Sequence, residues 1–306
     1  MKHLKNKRVG LLAGFGLLIT AAAWGFGFVV VKNSLDYIPP TYMLAFRFTI
    51  AAIGLLLVFC KRLKNITKDM MKHSALLGLL LFLAYLIQTI GCNYTTAGKN
   101  AFLTTVYVIL VPFFHWLINK KRPDKYCIIA AFVALVGIGL LTLEGDLSVN
   151  IGDMLTLLCG VVYALHIIYI DRFTENEDPV LLAVLQICYA AIFSWITAPI
   201  FNGGFPAGAF NSSVIIGMLY LGLFSTMMAF LLQNVCQKYL RPATASLLMS
   251  TESVFGVVGS VLILGEVLDI KMAVGCILIL GAIVFNETKP GKKEAKKEAK
   301  AIEVGE

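Results

Sequence analysis

Apolar and polar residues form long alternating blocks along this chain, in which ten apolar stretches are separated by polar loops. The stretches cover residues 9–31, 40–60, 74–94, 100–118, 126–143, 151–170, 179–201, 214–236, 243–264 and 270–285. A helix of about 20 apolar residues crosses the roughly 30 Å hydrocarbon core of a bilayer. The pattern therefore predicts an all-α polytopic membrane protein with ten transmembrane helices.

The two halves of the chain resemble each other. The segment PTYMLAFR at 40–47 has a counterpart 139 positions later, PVLLAVLQ at 179–186. Further echoes, 145 positions apart, pair 84–88 (AYLIQ) with 229–233 (AFLLQ) and 101–105 (AFLTT) with 246–250 (SLLMS). The chain therefore contains an internal repeat.

Each half holds five apolar segments. An odd number of crossings forces two halves of like fold to insert upside down relative to each other, an arrangement typical of secondary transporters. We therefore predict two inverted five-helix repeats at 9–143 and 151–287. A short tail at 1–8 and a charged tail at 288–306 flank them.

Lysine and arginine are distributed unevenly between the loops. The two tails and the even-numbered loops carry 22 of the 26, whereas the odd-numbered loops carry Lys32, Lys99 and Lys271. Cytoplasmic loops are enriched in these residues. We therefore expect both termini in the cytoplasm and the protein in the inner or plasma membrane. The formal charge of +8 is then a topology signal, so the expected partner is the lipid bilayer rather than a nucleic acid.

The composition agrees with a membrane location. Hydrophobic residues make up 58% of the chain and charged residues 14%, whereas soluble domains are typically about 25% charged. The seven cysteines lie within or at the ends of apolar segments, without the paired spacing of a metal site. They are interpreted as small apolar fillers, and we expect no metal and no cofactor.

Polar side chains recur on one face of several segments, at helical spacings of three, four or seven residues. They either line a wet cavity or form hydrogen bonds within their own helices. The combination of Asn, Tyr and His on the fourth and sixth segments favours a cavity. The candidate lining residues are Tyr85, Gln88, Asn100, Thr104, Tyr107, Tyr163, His166, Gln233 and Ser250.

Three aromatic residues have two interpretations each. Trp24 and Tyr163 occupy matching positions of the two halves, where they either stack on a substrate or fill space between helices. His166 is either a proton relay, because imidazole titrates near neutral pH, or a hydrogen-bonded structural residue.

Two charged residues lie inside predicted spans. Glu252 is some ten residues into the ninth segment, where an ionised carboxylate costs roughly 2.5–3.5 kcal/mol. It is a candidate for proton coupling or for binding a substrate ammonium group, and the alternative is a structural hydrogen bond or an ion pair with Arg47. Arg47 lies about two turns from the outer end of the second segment. It binds a substrate carboxylate, pairs with another helix or snorkels to the interface.

The fifth and tenth segments, 126–143 and 270–285, contain glycines and very few polar residues. They are interpreted as packing helices rather than cavity walls. A homodimer contact through them is an open alternative.

Several short pieces carry a family resemblance. They are 24–29 with Lys32, Pro40 with 44–48, 101–103 leading to Val111 and Pro112, Gly152 and Asp153 with 164–167, and 241–243 through Glu252. In this order and spacing they resemble the drug/metabolite transporter (DMT) superfamily, specifically its ten-helix permeases built from two EamA-type repeats. The resemblance implies a carrier of small solutes, usually an exporter, with a central cavity lined mainly by helices other than the fifth and tenth. Members of that family include exporters of amino acids and related metabolites.

We predict a secondary transporter, by resemblance an exporter, of small-molecule substrates such as amino acids or related organic solutes. It would work by alternating access, with protons as the default coupling ion, because the chain has no GxxxxGK[ST] nucleotide motif. One alternative is a passive facilitator. The other is an integral-membrane enzyme acting on lipid-linked substrates, which is disfavoured because no catalytic groups gather at one interface.

Overall fold

The computed structural model is a bundle of α-helices. It describes residues 7–95, 97–120, 122–142, 150–264 and 270–289, so most of the two predicted tails lies outside the described residues. The helices are α1 (Lys7–Leu35), α2 (Pro40–Phe59), α3 (Lys68–Tyr94), α4 (Ala97–Thr105), α5 (Tyr107–Asn119), α6 (Lys125–Thr142), α7 (Ile151–Thr174), α8 (Pro179–Asn202), α9 (Ser212–Gly222), α10 (Ala229–Gln237), α11 (Pro242–Met249), α12 (Glu252–Leu264) and α13 (Ile270–Thr288).

Within these residues the helices form ten segments, because α4 leads into α5, α9 into α10 and α11 into α12. Six stretches are helical, long and apolar enough to cross a membrane. Three shorter apolar helices cover Leu103–Asn119, Lys125–Leu140 and Ile270–Asn286. The predicted all-α fold is confirmed, and the ten helical segments correspond in order to the ten predicted spans.

The loops fall on two faces of the bundle. The loops at 60–67, 122–124, 175–178 and 238–241 lie on the face where α1 begins and α13 ends. We call this the basic face, because these loops and their flanking helix ends carry most of the described lysines and arginines. The loops at 36–39 and 203–211 lie on the other side, which we call the opposite face.

Helix starts follow local sequence rules at equivalent places in the two halves. Pro40 and Pro179 each occupy the first turn of a helix, where a missing backbone N–H is harmless. At the start of α7 the Asn150 side chain accepts a hydrogen bond from the Asp153 backbone, and the Asp153 side chain accepts one from the Asn150 backbone. This capping box satisfies two of the backbone donors that a helix leaves unpaired at its N-terminus.

Glycine permits equivalent close approaches between the halves. A Cβ atom on Gly78 of α3 would lie 2.7 Å from the backbone oxygen of Gln186, and one on Gly222 of α9 would lie 3.2 Å from that of Arg47. Arg47 and Gln186 are 139 positions apart and therefore equivalent. Thus α3 of the first half packs on α8 of the second, and α9 of the second half packs on α2 of the first, through equivalent glycine contacts.

Two membrane segments are interrupted near their middle. The helix α4 ends at Thr105 and α5 begins at Tyr107, while α11 ends at Met249 and α12 begins at Glu252. Tyr107 and Glu252 are 145 positions apart, the spacing of the second repeat match, so the two interruptions are equivalent. Interrupted helices in transporters bring backbone and side-chain polar groups to the middle of the membrane.

The helices α6 and α13 pack along each other. A Cβ atom on Gly137 would lie 2.8 Å from the backbone oxygen of Gly275, so the two backbones approach closely. Their outward side chains are exposed, as Val136 and Ile277 illustrate. The homodimer contact through this pair stays a prediction.

Candidate functional site

A cavity lies at the centre of the bundle and extends towards the opposite face. Its volume is about 40 Å³. That is room for about three waters, so the cavity is narrow. Seven of the candidate residues line it, namely Trp24, Arg47, Tyr85, Gln88, Thr104, Tyr163 and Glu252.

Arg47 is buried in the cavity wall, with 2% of its surface exposed. Its Nε donates to Thr226 Oγ1 at 3.0 Å and its Nη2 donates to Ser225 Oγ at 3.2 Å. The guanidinium carbon lies 4.6 Å from the centre of the Tyr85 ring, close enough for a cation–π contact. Arg47 therefore does not snorkel to the membrane surface. Two hydroxyls and an aromatic face hold it at the cavity.

Glu252 is the first residue of α12 and is 4% exposed. Its Oε1 accepts hydrogen bonds from Tyr107 Oη at 3.2 Å and from Thr105 Oγ1 at 3.4 Å. The N-terminal end of a helix carries partial positive charge, which favours a carboxylate there. Tyr107 is the first residue of α5 and Glu252 the first residue of α12. Their hydrogen bond therefore joins the two equivalent helix interruptions at this carboxylate.

The two buried charges face one cavity but do not pair. The sequence left open an ion pair between Arg47 and Glu252, whereas the structure joins each of them to hydroxyl groups. A buried charge with only neutral partners is costly compared with one that has a counter-charge. The cavity therefore presents one cationic and one anionic group to whatever enters it.

Equivalent aromatic residues of the two halves meet around the cavity. The ring centres of Trp24 and Tyr163 are 5.8 Å apart, as are those of Tyr85 and Phe230. Trp24 also donates from Nε1 to the backbone oxygen of Ser225 at 2.9 Å. These contacts across the pseudo-twofold axis form the floor of the cavity on the side of the basic face.

Polar contacts fix the wall formed by α3, α4 and α7. Gln88 Nε2 donates to Thr104 Oγ1 at 3.0 Å, and both residues line the cavity. Asn100 lies behind them, where its Nδ2 donates to Thr156 Oγ1 at 2.9 Å and to the Gln88 backbone oxygen at 3.1 Å. Asn100 therefore positions the wall instead of forming its surface.

The remaining candidates lie outside the cavity lining. Tyr107 donates to Glu252, and Ser250 donates to the Leu247 backbone oxygen at 2.8 Å, within its own helix. His166 and Gln233 are fully buried on the side of the basic face, where His166 Nε2 is 2.8 Å from Gln186 Oε1. The roles of these residues in transport stay predictions.

The π-helical segment Leu223–Met228, between α9 and α10, contributes to the site, although its helix type was not predicted from the sequence. It supplies the hydroxyls of Ser225 and Thr226 to Arg47 and a backbone acceptor to Trp24. Such single-turn π segments occur frequently at functional sites. Thr226 is a polar residue in an apolar run, but neither proline nor glycine within the segment marks the change of helix type.

Charged contacts tie loops together on the basic face. Arg62 pairs with Asp178 at 3.5 Å, and His73 Nδ1 is 2.6 Å from Glu177 Oε1. Asp124 pairs with Lys289 and, at 3.7 Å, with Arg241. Partial burial raises the pKa of Asp124, but the hydrogen bonds from Lys289 and the Cys127 backbone and the nearby positive charges outweigh it and lower the pKa overall. These contacts link four loop regions of the basic face to one another.

Lysine also stabilises the opposite face. Lys32 Nζ donates to the backbone oxygens of Cys92 at 2.9 Å and of Thr95 at 3.4 Å. These carbonyls lie at the end of α3, where a cation complements the partial negative charge of a helix C-terminus. The contact joins the end of α1 to the end of α3, beside the mouth of the cavity.

A helical membrane bundle of two repeated halves around a polar cavity defines a transporter rather than an enzyme. The chain belongs to the EamA-like transporter family, whose model matches twice, at residues 11–143 and 150–288. An uncharacterized transporter of Archaeoglobus fulgidus is 35% identical over 275 residues, covering 90% of this chain and 85% of that protein. The uncharacterized transporter YvbV of Bacillus subtilis is 25% identical over 302 residues, covering 96% of each.

The fold also matches a solved structure. That crystal structure of a protein aligns with a TM-score of 0.74 and 16% identity, covering 92% of this chain and 96% of the other. At this identity the match concerns the fold alone. The chain is thus an integral membrane transporter of the EamA-like family.

Proposed function

We propose that this protein is a secondary transporter that exports small zwitterionic solutes, such as amino acids, by alternating access and in exchange for protons. Two buried, opposite charges that face one cavity without binding each other carry the proposal. Arg47 is suited to a carboxylate, because its hydroxyl partners leave it without a counter-charge. Glu252 is suited to an ammonium group for the same reason.

Charge balance supports a zwitterion over a simple acid or amine. Each buried ion has lost hydration, and a single unmatched charge costs several kcal/mol in a protein interior. A zwitterion brings one counter-charge to each wall of the cavity. A carboxylic acid or an amine would match one wall and leave the other unpaired.

The carboxylate of Glu252 can also couple solute transport to proton movement. Glu252 either holds a proton or binds an ammonium group, and it does not do both at once. Exchange of one for the other would link solute export to proton entry. Each charge that crosses a potential of 100 mV contributes about 2.3 kcal/mol, which is enough to drive accumulation.

The distribution of basic residues supports the orientation. With the basic face in the cytoplasm, both termini are cytoplasmic and the central cavity extends towards the outside of the cell membrane. The charged contacts of Asp124, Glu177 and Asp178 would then close the cytoplasmic side. Export as the direction rests on the resemblance to exporters.

Competition between related solutes tests whether the substrate is recognised as a zwitterion. A comparison of metabolites released by cells with and without the protein first identifies a transported amino acid. Its uptake into liposomes containing the protein is then challenged with the same amino acid, with the amine that lacks its carboxylate and with the acid that lacks its ammonium group. We expect both analogues to compete about 30-fold less well or worse, since removing one partner of a buried charge pair costs 2 kcal/mol or more.

Equal competition by all three compounds would contradict recognition of both charges. A passive facilitator is separated by a different readout, because its flux never exceeds equilibration. Accumulation above equilibrium under a proton gradient would exclude it.

A further inference from the structure

Several buried polar side chains carry an atom without a hydrogen-bond partner. In the part of the chain that the structure describes, they include Ser74, Glu177 and Asn234 and four residues that the internal repeat relates to the cavity, whose atoms are Tyr163 Oη, His166 Nδ1, Gln186 Nε2 and Gln233 Oε1. Three of the residues, His166, Gln186 and Gln233, are fully buried. Leaving a buried donor or acceptor unpaired costs free energy and is rare in folded proteins. We therefore expect another conformation of the protein in which these atoms have hydrogen-bond partners.

The internal repeat relates these four residues to the cavity. Trp24, Gly27 and Arg47 line the cavity, and 139 positions later their equivalents are Tyr163, His166 and Gln186. Gln88 also lines the cavity, and its equivalent 145 positions later is Gln233. These four residues are thus symmetry images of residues that line the cavity, and Tyr163 also lines the cavity itself.

Their depth matches as well. Arg47 lies seven residues after the start of α2 on the opposite face, and Gln186 lies seven residues after the start of α8 on the basic face. Both positions are therefore roughly 10 Å from their own membrane face. In the present conformation the half around Arg47 is open and the half around Gln186 is packed shut.

We propose that His166, Gln186 and Gln233 line a second half-site, which opens towards the basic face when the transporter changes conformation, with Tyr163 at its boundary with the central cavity. The half-site takes the hydrogen-bonding groups of a small polar solute and its accompanying water. This rests on the alternating access of the proposed function, and it assigns residues to the state that the present conformation does not display.

The chemistry of the half-site differs from that of the central cavity. The equivalent of Arg47 is the neutral Gln186, and the equivalent of Glu252 is Tyr107. In the closed state His166 Nε2 and Gln186 Oε1 are 2.8 Å apart, and Phe230 packs between the half-site and Tyr85. Amide, imidazole and phenol groups bind a solute through hydrogen bonds without fixing a charge. In this half-site the solute therefore forms only hydrogen bonds, whereas Arg47 and Glu252 bind its charged groups in the central cavity.

Thiol labelling tests the half-site without knowledge of the substrate. Gln186→Cys and Gln233→Cys are made separately and exposed to a membrane-impermeant maleimide in vesicles of each orientation, with the labelled peptide identified by mass spectrometry. Ile187→Cys is the matched control, because Ile187 is next to Gln186 on α8 and equally buried. Gln88→Cys reports on the open half.

We expect labelling of both test positions from the basic face, about tenfold or more faster than that of Ile187→Cys, since a minor conformation of a few per cent exposes them. Adding Glu177→Ala, which removes the contact with His73, should speed this labelling further and slow that of Gln88→Cys. Labelling of both positions no faster than the control in either background, or only from the opposite face, would overturn the half-site.

The outcome is separable from the proposed function. Protein that transports amino acids while both test positions stay unlabelled refutes the half-site and leaves the carrier intact. Protein whose test positions are labelled while no amino acid competes for transport supports the half-site and refutes the zwitterion.

Discussion

Liposomes containing the Glu252→Gln protein are expected to lose proton-driven accumulation of substrate, by about 30-fold or more in initial rate. Glutamine has nearly the same shape and still accepts the hydrogen bonds of Tyr107 and Thr105, so the interrupted helices stay joined. It neither takes a proton nor pairs with an ammonium group. Uptake of labelled substrate under an imposed proton gradient, compared with wild type, measures the effect.

Glu175→Gln is the matched control for this experiment. Glu175 is exposed at the end of α7, so the same change of charge there should leave transport unaltered. Glu252→Gln protein that still concentrates substrate against its gradient would refute the coupling role.

The second large effect is expected at Arg47. Arg47→Gln should weaken the apparent affinity for the amino acid by about 30-fold or more, because the substrate carboxylate loses its only buried counter-charge at the described cavity. The affinity of Arg47→Lys protein should lie between those of wild type and Arg47→Gln, since an ammonium group keeps the charge but not the paired geometry of a guanidinium. Concentration dependence of exchange in liposomes gives the affinities.

Arg172→Gln serves as the control for the loss of a positive charge, because Arg172 is exposed in the last turn of α7. The amine analogue gives a second control, since it lacks the carboxylate and its weak binding should not change in Arg47→Gln protein. An unchanged affinity for the amino acid would contradict the role of Arg47.

The sequence predicted the helices and the repeat for a physical reason. A membrane span must hide its backbone polar groups within a helix and expose apolar side chains to lipid, so the hydrophobic pattern of each segment is nearly sufficient to identify it. Pro40 and Pro179, and the echo between 84–88 and 229–233, then identified the two halves without any knowledge of tertiary contacts.

The interruptions of the fourth and ninth segments were not predictable in the same way. Neither Thr105 to Tyr107 nor Ser250 to Glu252 contains glycine or proline, which are the usual local signals. The break in the ninth segment coincides with a close approach of α1, since a Cβ atom on Gly25 would lie 2.5 Å from the Glu252 backbone oxygen. Such a contact between distant residues leaves no trace in local sequence.

Helical periodicity identified the polar faces of the helices, but not which of their side chains line the cavity and which are buried. Gln88 and Gln233 occupy equivalent positions, yet Gln88 lines the cavity and Gln233 is fully buried in the closed half. The interpretation of Ser250 as a cavity residue had a local alternative, a bond to its own helix, and the structure contains that bond.

Counterflow in liposomes tests the central claim most directly. Liposomes containing the purified protein are loaded with a concentrated unlabelled amino acid and diluted into a trace of the same labelled compound, with no ion gradient present. Alternating access around a zwitterion site predicts that the label rises transiently above its equilibrium level in wild type and does not do so in Arg47→Gln protein. Label that only approaches equilibrium in wild type, at the same rate with and without internal amino acid, would contradict the account.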